Sequence, residues 1–208
     1  ENFNKQVITE NFNRTVLAEI ARDIDPENPE EQGKTLIYAV DDQHADMIVS
    51  ILKEIYSETG VDNDAIMKIT GSVGGGNPKK VSEAIKRFKN ERFPSIAVTV
   101  DLLTTGIDVP EITTLVFMRR VKSRILFEQM LGRATRLCQK IHKTHFEIYD
   151  PVGVYDSLEP VNTMKPVVTN PTTTFTQLLD GLEKWKIKMW YRLRSTRLLQ
   201  SSSVKSVV

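Results

Sequence analysis

The feature that most constrains this chain is a repeated alternation. Short apolar runs, "TLIYAV" (35–40), "AIMKIT" (65–70), "SIAVTV" (95–100), "ITTLVFM" (112–118) and "HFEIYD" (145–150), are interleaved with segments of helical period. "DDQHADMIVSILKEIY" puts Ala45, Ile48, Val49, Leu52, Ile55 and Tyr56 on one face, with Asp41 or Asp42 suited to the N-cap. "NPKKVSEAIKRFKN" (77–90) reads as a second helix with Pro78 near its start, and "SRILFEQMLGRATRLC" (123–138) as a third. Strands apolar on both faces that alternate with helices predict an α/β fold, a parallel sheet covered by helices. In such sheets functional groups gather at the C-terminal ends of the strands.

A length of 208 residues accommodates one core with flanking segments. Val7, Ile8, Phe12, Val16, Leu17, Ile20 and Ala21 predict a helix over 5–22, ended by the acidic "DIDPENPEEQG". After Asp150 a Pro-, Thr- and Val-rich stretch reads as a linker, and 175–199 returns to helical spacing. The expected organisation is a helix and acidic linker (1–33), a central α/β domain (34–155), and a linker with a helical extension (156–208). With 40% hydrophobic and 26% charged residues the composition is that of a soluble globular protein, and no apolar run reaches the roughly 20 residues of a membrane span. The start, "ENFNKQ", carries no leader, and Cys138 is the single cysteine, so a reducing, cytoplasmic setting without membrane contact is expected. Charge is uneven. Residues 119–145 carry eight Arg and Lys against Glu128 alone, and a second basic run spans Lys184 to Arg197, which suits a polyanionic partner.

Two stretches invite a phosphate-loop reading. "EQGKTLIYAV" holds Gly33-Lys34-Thr35, yet the first glycine position of a P-loop is Asn28, acidic residues precede it, and a strand rather than a helix follows. It is the turn into a core strand. The glycines of "TGSVGGGNPKK" (70–80) match neither P-loop nor dinucleotide spacing, and read as a surface loop.

The chemistry lies further on. "LLTTGIDVP" sets two hydroxyls, a glycine and a carboxylate after a strand, and "FEQMLGRATRL" places Gln129, Gly132, Arg133 and Arg136 at i, i+3, i+4 and i+7, one face of the predicted helix. Two arginines beside a glycine that permits close approach form a phosphate clamp with arginine-finger geometry. Cys138, His142 and His145 have metal-like spacing, but a strand start and a helix end need not converge, and no metal site is expected. Trp185, Trp190 and Tyr191 fit a helix packed on a neighbouring domain.

"TTGIDVP" and "QMLGRATR" resemble motifs V and VI of superfamily 2 helicases and translocases, and "KTLIYAVDDQHADMIVSILKEI" resembles their motif IV region. In order across 34–136, they resemble the second RecA-like motor domain, a helicase C-terminal domain of the P-loop NTPase fold. "VDLLTTGIDVPEITTLVFMRRVKSRILFEQMLGRATRLC" resembles the motor of the restriction (R) subunit of type I restriction-modification enzymes more than DEAD-box RNA helicases, which usually have Arg and His where Thr105 and Gln129 stand.

The resemblance implies that Arg133 and Arg136 reach the γ-phosphate of ATP on a first RecA-like domain, and that Gly106, Asp108, Gln129 and Gly132 lie at the nucleotide. It implies that Thr70, Gly71, Thr104 and Thr105 touch the DNA backbone, contacts that carry no base information. The implied cofactors are ATP and Mg, bound mainly by the first motor domain. The implied partners are double-stranded DNA, that domain, and the modification and specificity subunits. The sequence contains no Walker A, Walker B or Glu-x-Lys nuclease signature, so half an ATP site is expected in a fragment inactive alone. Another superfamily 2 DNA helicase, or a silent nucleic-acid-binding module, remain the alternatives.

Overall fold

The computed structural model describes residues 8–101, 108–121 and 123–154. Five strands, β1 (Lys34–Tyr38), β2 (Ile66–Lys68), β3 (Ile96–Thr99), β4 (Ile112–Phe117) and β5 (Glu147–Tyr149), form one sheet in the order β2-β3-β1-β4-β5. All four pairings are parallel, as the interleaved apolar runs predict. Register places Leu36 between Ala97 and Leu115, and Ile37 between Val98 and Val116.

The helices are α1 (Glu10–Ile20), α2 (Pro29–Gln32), α3 (Asp42–Ser57), α4 (Pro78–Asn90) and α5 (Arg124–Leu131). Local chemistry starts three of them. Asp41 accepts from the His44 amide at 2.8 Å, Asn77 from the Lys79 amide at 3.0 Å with Pro78 at the first helical position, and Ser123 from the Leu126 amide at 3.3 Å. Of the two carboxylates expected to cap α3, Asp41 therefore does so, leaving Asp42 for another task.

Central strand β1 is buried on both faces, and its alternation sorts the core into two layers. Leu36 and Tyr38 join Phe88 of α4, Leu115 and Phe117 of β4, and Phe127 and Leu131 of α5. The Tyr38 and Phe117 rings stack at 5.4 Å, and Phe127 tilts against Phe117 at 5.2 Å. Ile37 and Ala39 point the other way, to Ile48 and Leu52 of α3 and to Val16, Leu17 and Ile20 of α1. At roughly 1.5–3 kcal/mol for each large side chain fully buried, these layers are the main stabilising term. Helix α1 shares the second layer, so it packs as part of the same unit. The stretch expected to be only an acidic linker also contains α2, with Pro29 at its start.

The GKT turn proves structural. Gly33 has φ 81°, and a Cβ there would lie 2.4 Å from Thr113 Cγ2 and 2.7 Å from the Glu111 carbonyl, so only glycine fits. Lys34 runs inward, its Nζ donating to the carbonyls of Phe88 (2.6 Å), Glu91 (2.6 Å) and Pro94 (3.1 Å). Burial pushes its pKa down to about 8.

One expected element is shorter than its sequence pattern. The helix predicted over 123–138 ends at Leu131, so Gln129, Gly132, Arg133 and Arg136 do not share one helical face. The cause lies in the carbonyls needed to continue it. The Gly132 carbonyl accepts from the Thr135 hydroxyl at 3.3 Å, and that of Ala134 from the Lys143 ammonium at 2.7 Å. The last turn tightens through Arg133 N–H to Met130 O (3.2 Å) and Ala134 N–H to Leu131 O (2.9 Å). Cys138, expected to continue the helix, instead forms an isolated bridge with Lys143. The predicted extension over 156–208, with Trp185, Trp190 and Tyr191, lies outside the described residues.

Candidate functional site

Two groups of polar residues stand apart from the core. The first surrounds the end of α5. Leaving the helix at Gly132, the chain half-buries Arg133 and exposes Arg136. Arg136 Nη1 meets Asp108 Oδ2 at 2.5 Å. Asp108 sits just before β4, and its second oxygen, Oδ1, is buried with no hydrogen-bond partner among the described residues. Arg133 lies near Tyr38, whose hydroxyl donates to the Met130 carbonyl at 3.4 Å. Burial raises the Tyr38 pKa, and the positive charge of Arg133 opposes that rise. Gln129 is exposed on the last turn of α5.

Gly132 has an ordinary helical backbone, φ −56° and ψ −17°. The nearest atoms to a Cβ there would be carbonyls of its own helix, Glu128 O at 3.3 Å and Gln129 O at 3.4 Å. Glycine is therefore not demanded by the backbone, and among the described residues only its own helix lies within 4 Å of that position. The structure thus joins Asp108 to Arg136 and sets Gln129, Gly132 and Arg133 along one short stretch. Gly106, Thr104 and Thr105 lie outside the described residues.

The second group follows β2. Asp42, released from capping, accepts from Thr70 Oγ1 and Ser72 Oγ, each at 2.5 Å, and from Lys68 Nζ at 3.0 Å. Lys68 also reaches Asp46 at 2.6 Å. The Ser72 and Thr70 hydroxyls, then Lys68, hold the Asp42 carboxyl down at about 2, so it is ionised under any physiological condition. Thr70 is buried, its hydroxyl proton engaged by Asp42, whereas Gly71 is exposed. Beyond them Gly74, Gly75 and Gly76 take φ of 64°, 74° and 79°, a left-handed run that suits glycine alone.

Sequence reasoning missed Asp42 as the centre of this network; the doubled Asp41-Asp42 after a strand was the available signal, since only one of them can cap. It also missed Lys143, whose Nζ donates to the carbonyls of Pro110 (3.0 Å), Ala134 (2.7 Å) and Ile112, tying the end of α5 to the approach of β4. Among the described residues no three His, Cys, Asp or Glu side chains converge as a metal set, and no helix is long and apolar enough to cross a membrane.

A family model for the helicase conserved C-terminal domain matches residues 14–138, from within α1 to the bridge at Cys138. The chain belongs to this family, and its parallel five-stranded sheet with flanking helices is the RecA-like fold. Within it, the chain resembles the endonuclease, or R, subunits of type I restriction enzymes. It is 45% identical over 190 residues to the Type I restriction enzyme EcoKI endonuclease subunit of Escherichia coli (strain K12), covering 89% of this chain and 16% of that subunit. Identity to the EcoAI endonuclease subunit of Escherichia coli is 28% over 153 residues, 72% of this chain and 18% of that one. A fragment structure assigned to an HsdR subunit of a type I restriction enzyme from Vibrio vulnificus YJ016 superposes with a TM-score of 0.62 at 25% identity, over 80% of this chain and 32% of that chain. The chain thus spans less than a fifth of the curated relatives' length.

Proposed function

We propose that this domain is the second motor half of an ATP-driven translocase on double-stranded DNA, within an R subunit whose movement precedes cleavage. The observation that carries this reading is the pair of arginines leaving the tightened end of α5, Arg136 already on the carboxylate of Asp108. A guanidinium so placed exchanges readily between an internal carboxylate and an incoming phosphate, because both present oxygens to the same planar fork.

In this reading Arg133 and Arg136 stabilise charge on the γ-phosphoryl group of ATP held by a first RecA-like domain. Gly132 gives the phosphate close approach, Gln129 couples the two domains, and Asp108, with Gly106, lies at the nucleotide. The donor set fits half an ATP site. The Gly-Lys-Thr lysine is engaged by three carbonyls and is not available to a phosphate, and the first domain would hold the triphosphate with its Mg. Contact with the DNA backbone falls to the Gly71 backbone and, by the resemblance of their motif, to Thr104 and Thr105. Thr70, committed to Asp42, holds that turn in place. Modification and specificity subunits would complete the complex and supply sequence recognition.

In the intact protein, Arg133→Ala and Arg136→Ala are each expected to lower ATP turnover by about 10³ to 10⁵-fold, the scale of an arginine finger, while DNA binding persists. The 208-residue chain alone is expected to show no DNA-stimulated ATP hydrolysis. Coupled-enzyme ATPase and triplex-displacement assays check both. Unchanged turnover in the arginine variants, or turnover by the chain alone, overturns the proposal.

A further inference from the structure

Nine lysines fall among the described residues, and their surroundings differ sharply. Lys34 and Lys143 are buried on carbonyls. Lys68 and Lys140 are paired with carboxylates, and Lys53 is half-buried. The remaining four, Lys79, Lys80, Lys86 and Lys89, are all exposed, have no carboxylate of a described residue within ion-pair distance, and lie on α4. The other cation of that helix, Arg87, is paired with Asp64 at 3.6 Å and Glu91 at 3.3 Å. Glu83 is the only acidic residue of α4, so the helix carries five cations against one carboxylate. Its opposite face, through Ala84 and Phe88, is in the core, so the lysines project outward by helical geometry.

This stripe is physically joined to the glycine turn. A Cβ on Gly74 would lie 2.2 Å from Lys80 Cδ and 2.8 Å from its Cβ, so the Lys80 stem occupies the space that glycine leaves. The left-handed turn thus packs on the first turn of α4, and exposed Gly71 and Ser72 precede it directly in the chain, the Gly71 carbonyl 3.8 Å from where a Cβ on Gly76 would lie. From Lys79 to Lys89 the helix rises about 15 Å. Duplex DNA offers a phosphate about every 3.4 Å of axis on each strand, so four or so phosphates of one strand span that length.

We infer that the outer face of α4 is a second, sequence-independent contact for the phosphate backbone of double-stranded DNA, continuous with the Gly71–Gly76 turn. It lengthens the track beyond the loops assigned to DNA above. The inference rests on the DNA-translocase reading. Ammonium groups on flexible stems suit a surface over which phosphates must pass, since they attract without fixing one geometry.

The test is fluorescence anisotropy of a short labelled duplex against the full chain over a salt titration, with K79Q/K86Q/K89Q beside the unaltered protein and K79R/K86R/K89R as the charge-retaining control. Three lost phosphate contacts should lower the slope of log affinity against log salt by about 2.7. The glutamine variant should bind at least about tenfold more weakly at low salt, with its thermal melt unchanged and binding restored in the arginine variant. Glutamine and unaltered proteins binding alike, with equal slopes, would overturn this inference and leave the translocase reading standing. Absence of salt-dependent duplex binding by the unaltered chain would overturn both.

Discussion

Lys34 shows how far a residue's meaning depends on its surroundings. The same ammonium that would serve a phosphate in a P-loop here organises three backbone carbonyls where α4 ends and β3 approaches, above the Phe88 ring at 5.2 Å. Lys34→Met keeps the volume of the stem but leaves those acceptors without their donor. A buried polar group left unsatisfied costs about 1–3 kcal/mol, so a net loss of about 2 kcal/mol or more is expected in urea unfolding. ATP turnover per folded molecule in the intact protein should be unaltered, whereas a phosphate-binding lysine would lose it on the same change. Context read from sequence was sufficient to reject the P-loop, because a strand follows Thr35. The carbonyl partners were not legible, since they lie more than fifty positions away.

At the level of elements, the two adjacent carboxylates that open α3 separate cleanly. Asp41 caps the helix, so Asp41→Ala should cost about 1 kcal/mol of stability. Asp42 anchors Thr70 and Ser72, so Asp42→Asn should quicken amide exchange over residues 70–76, which Asp41→Ala should leave slow. Hydrogen exchange read by mass spectrometry, with chemical denaturation on the same samples, distinguishes the two; equal behaviour of both variants would contradict the division. The sequence pattern was most legible where burial is two-sided. β1, β3 and β4 are close to their apolar runs because the hydrophobic period there has no competitor. It failed at the end of α5, whose periodicity runs on to Cys138 while the backbone does not. Thr135 and Lys143 take the carbonyls that the next turn requires, and Lys143 comes from beyond the pattern itself. The arginines were thus singled out by residue type and spacing, while their placement depends on a side chain that local reading does not connect to them.

Across the whole molecule, α1 is bound to α3 through a buried polar contact as well as through its apolar face. His44 Nδ1 accepts the Val40 amide at 3.1 Å, so Nε2 carries the proton and donates to Asn13 Oδ1 at 2.8 Å. Burial lowers the His44 pKa, so the folded chain keeps this ring neutral. Below an unfolded value of about 6.5 the unfolded chain binds the proton more readily, and the linked stability, fully present above that pH, is lost as pH falls. Urea midpoints should therefore fall between pH 7.5 and 5.5, and His44→Gln should weaken that dependence. An unchanged slope in the variant would place the acid sensitivity elsewhere.

Among the described residues the sheet also ends on both sides in strands of only three residues, β2 and β5. Each offers few backbone groups to a stray neighbour, too short a template for another chain to add itself edge to edge. On the proposed reading, a motor half that parts from its companion and closes again in every cycle would meet many chances for wrong partners in the open state. On that reading the blunt margins would leave the surface beside the arginines, rather than the sheet, as the place where reclosure is rewarded.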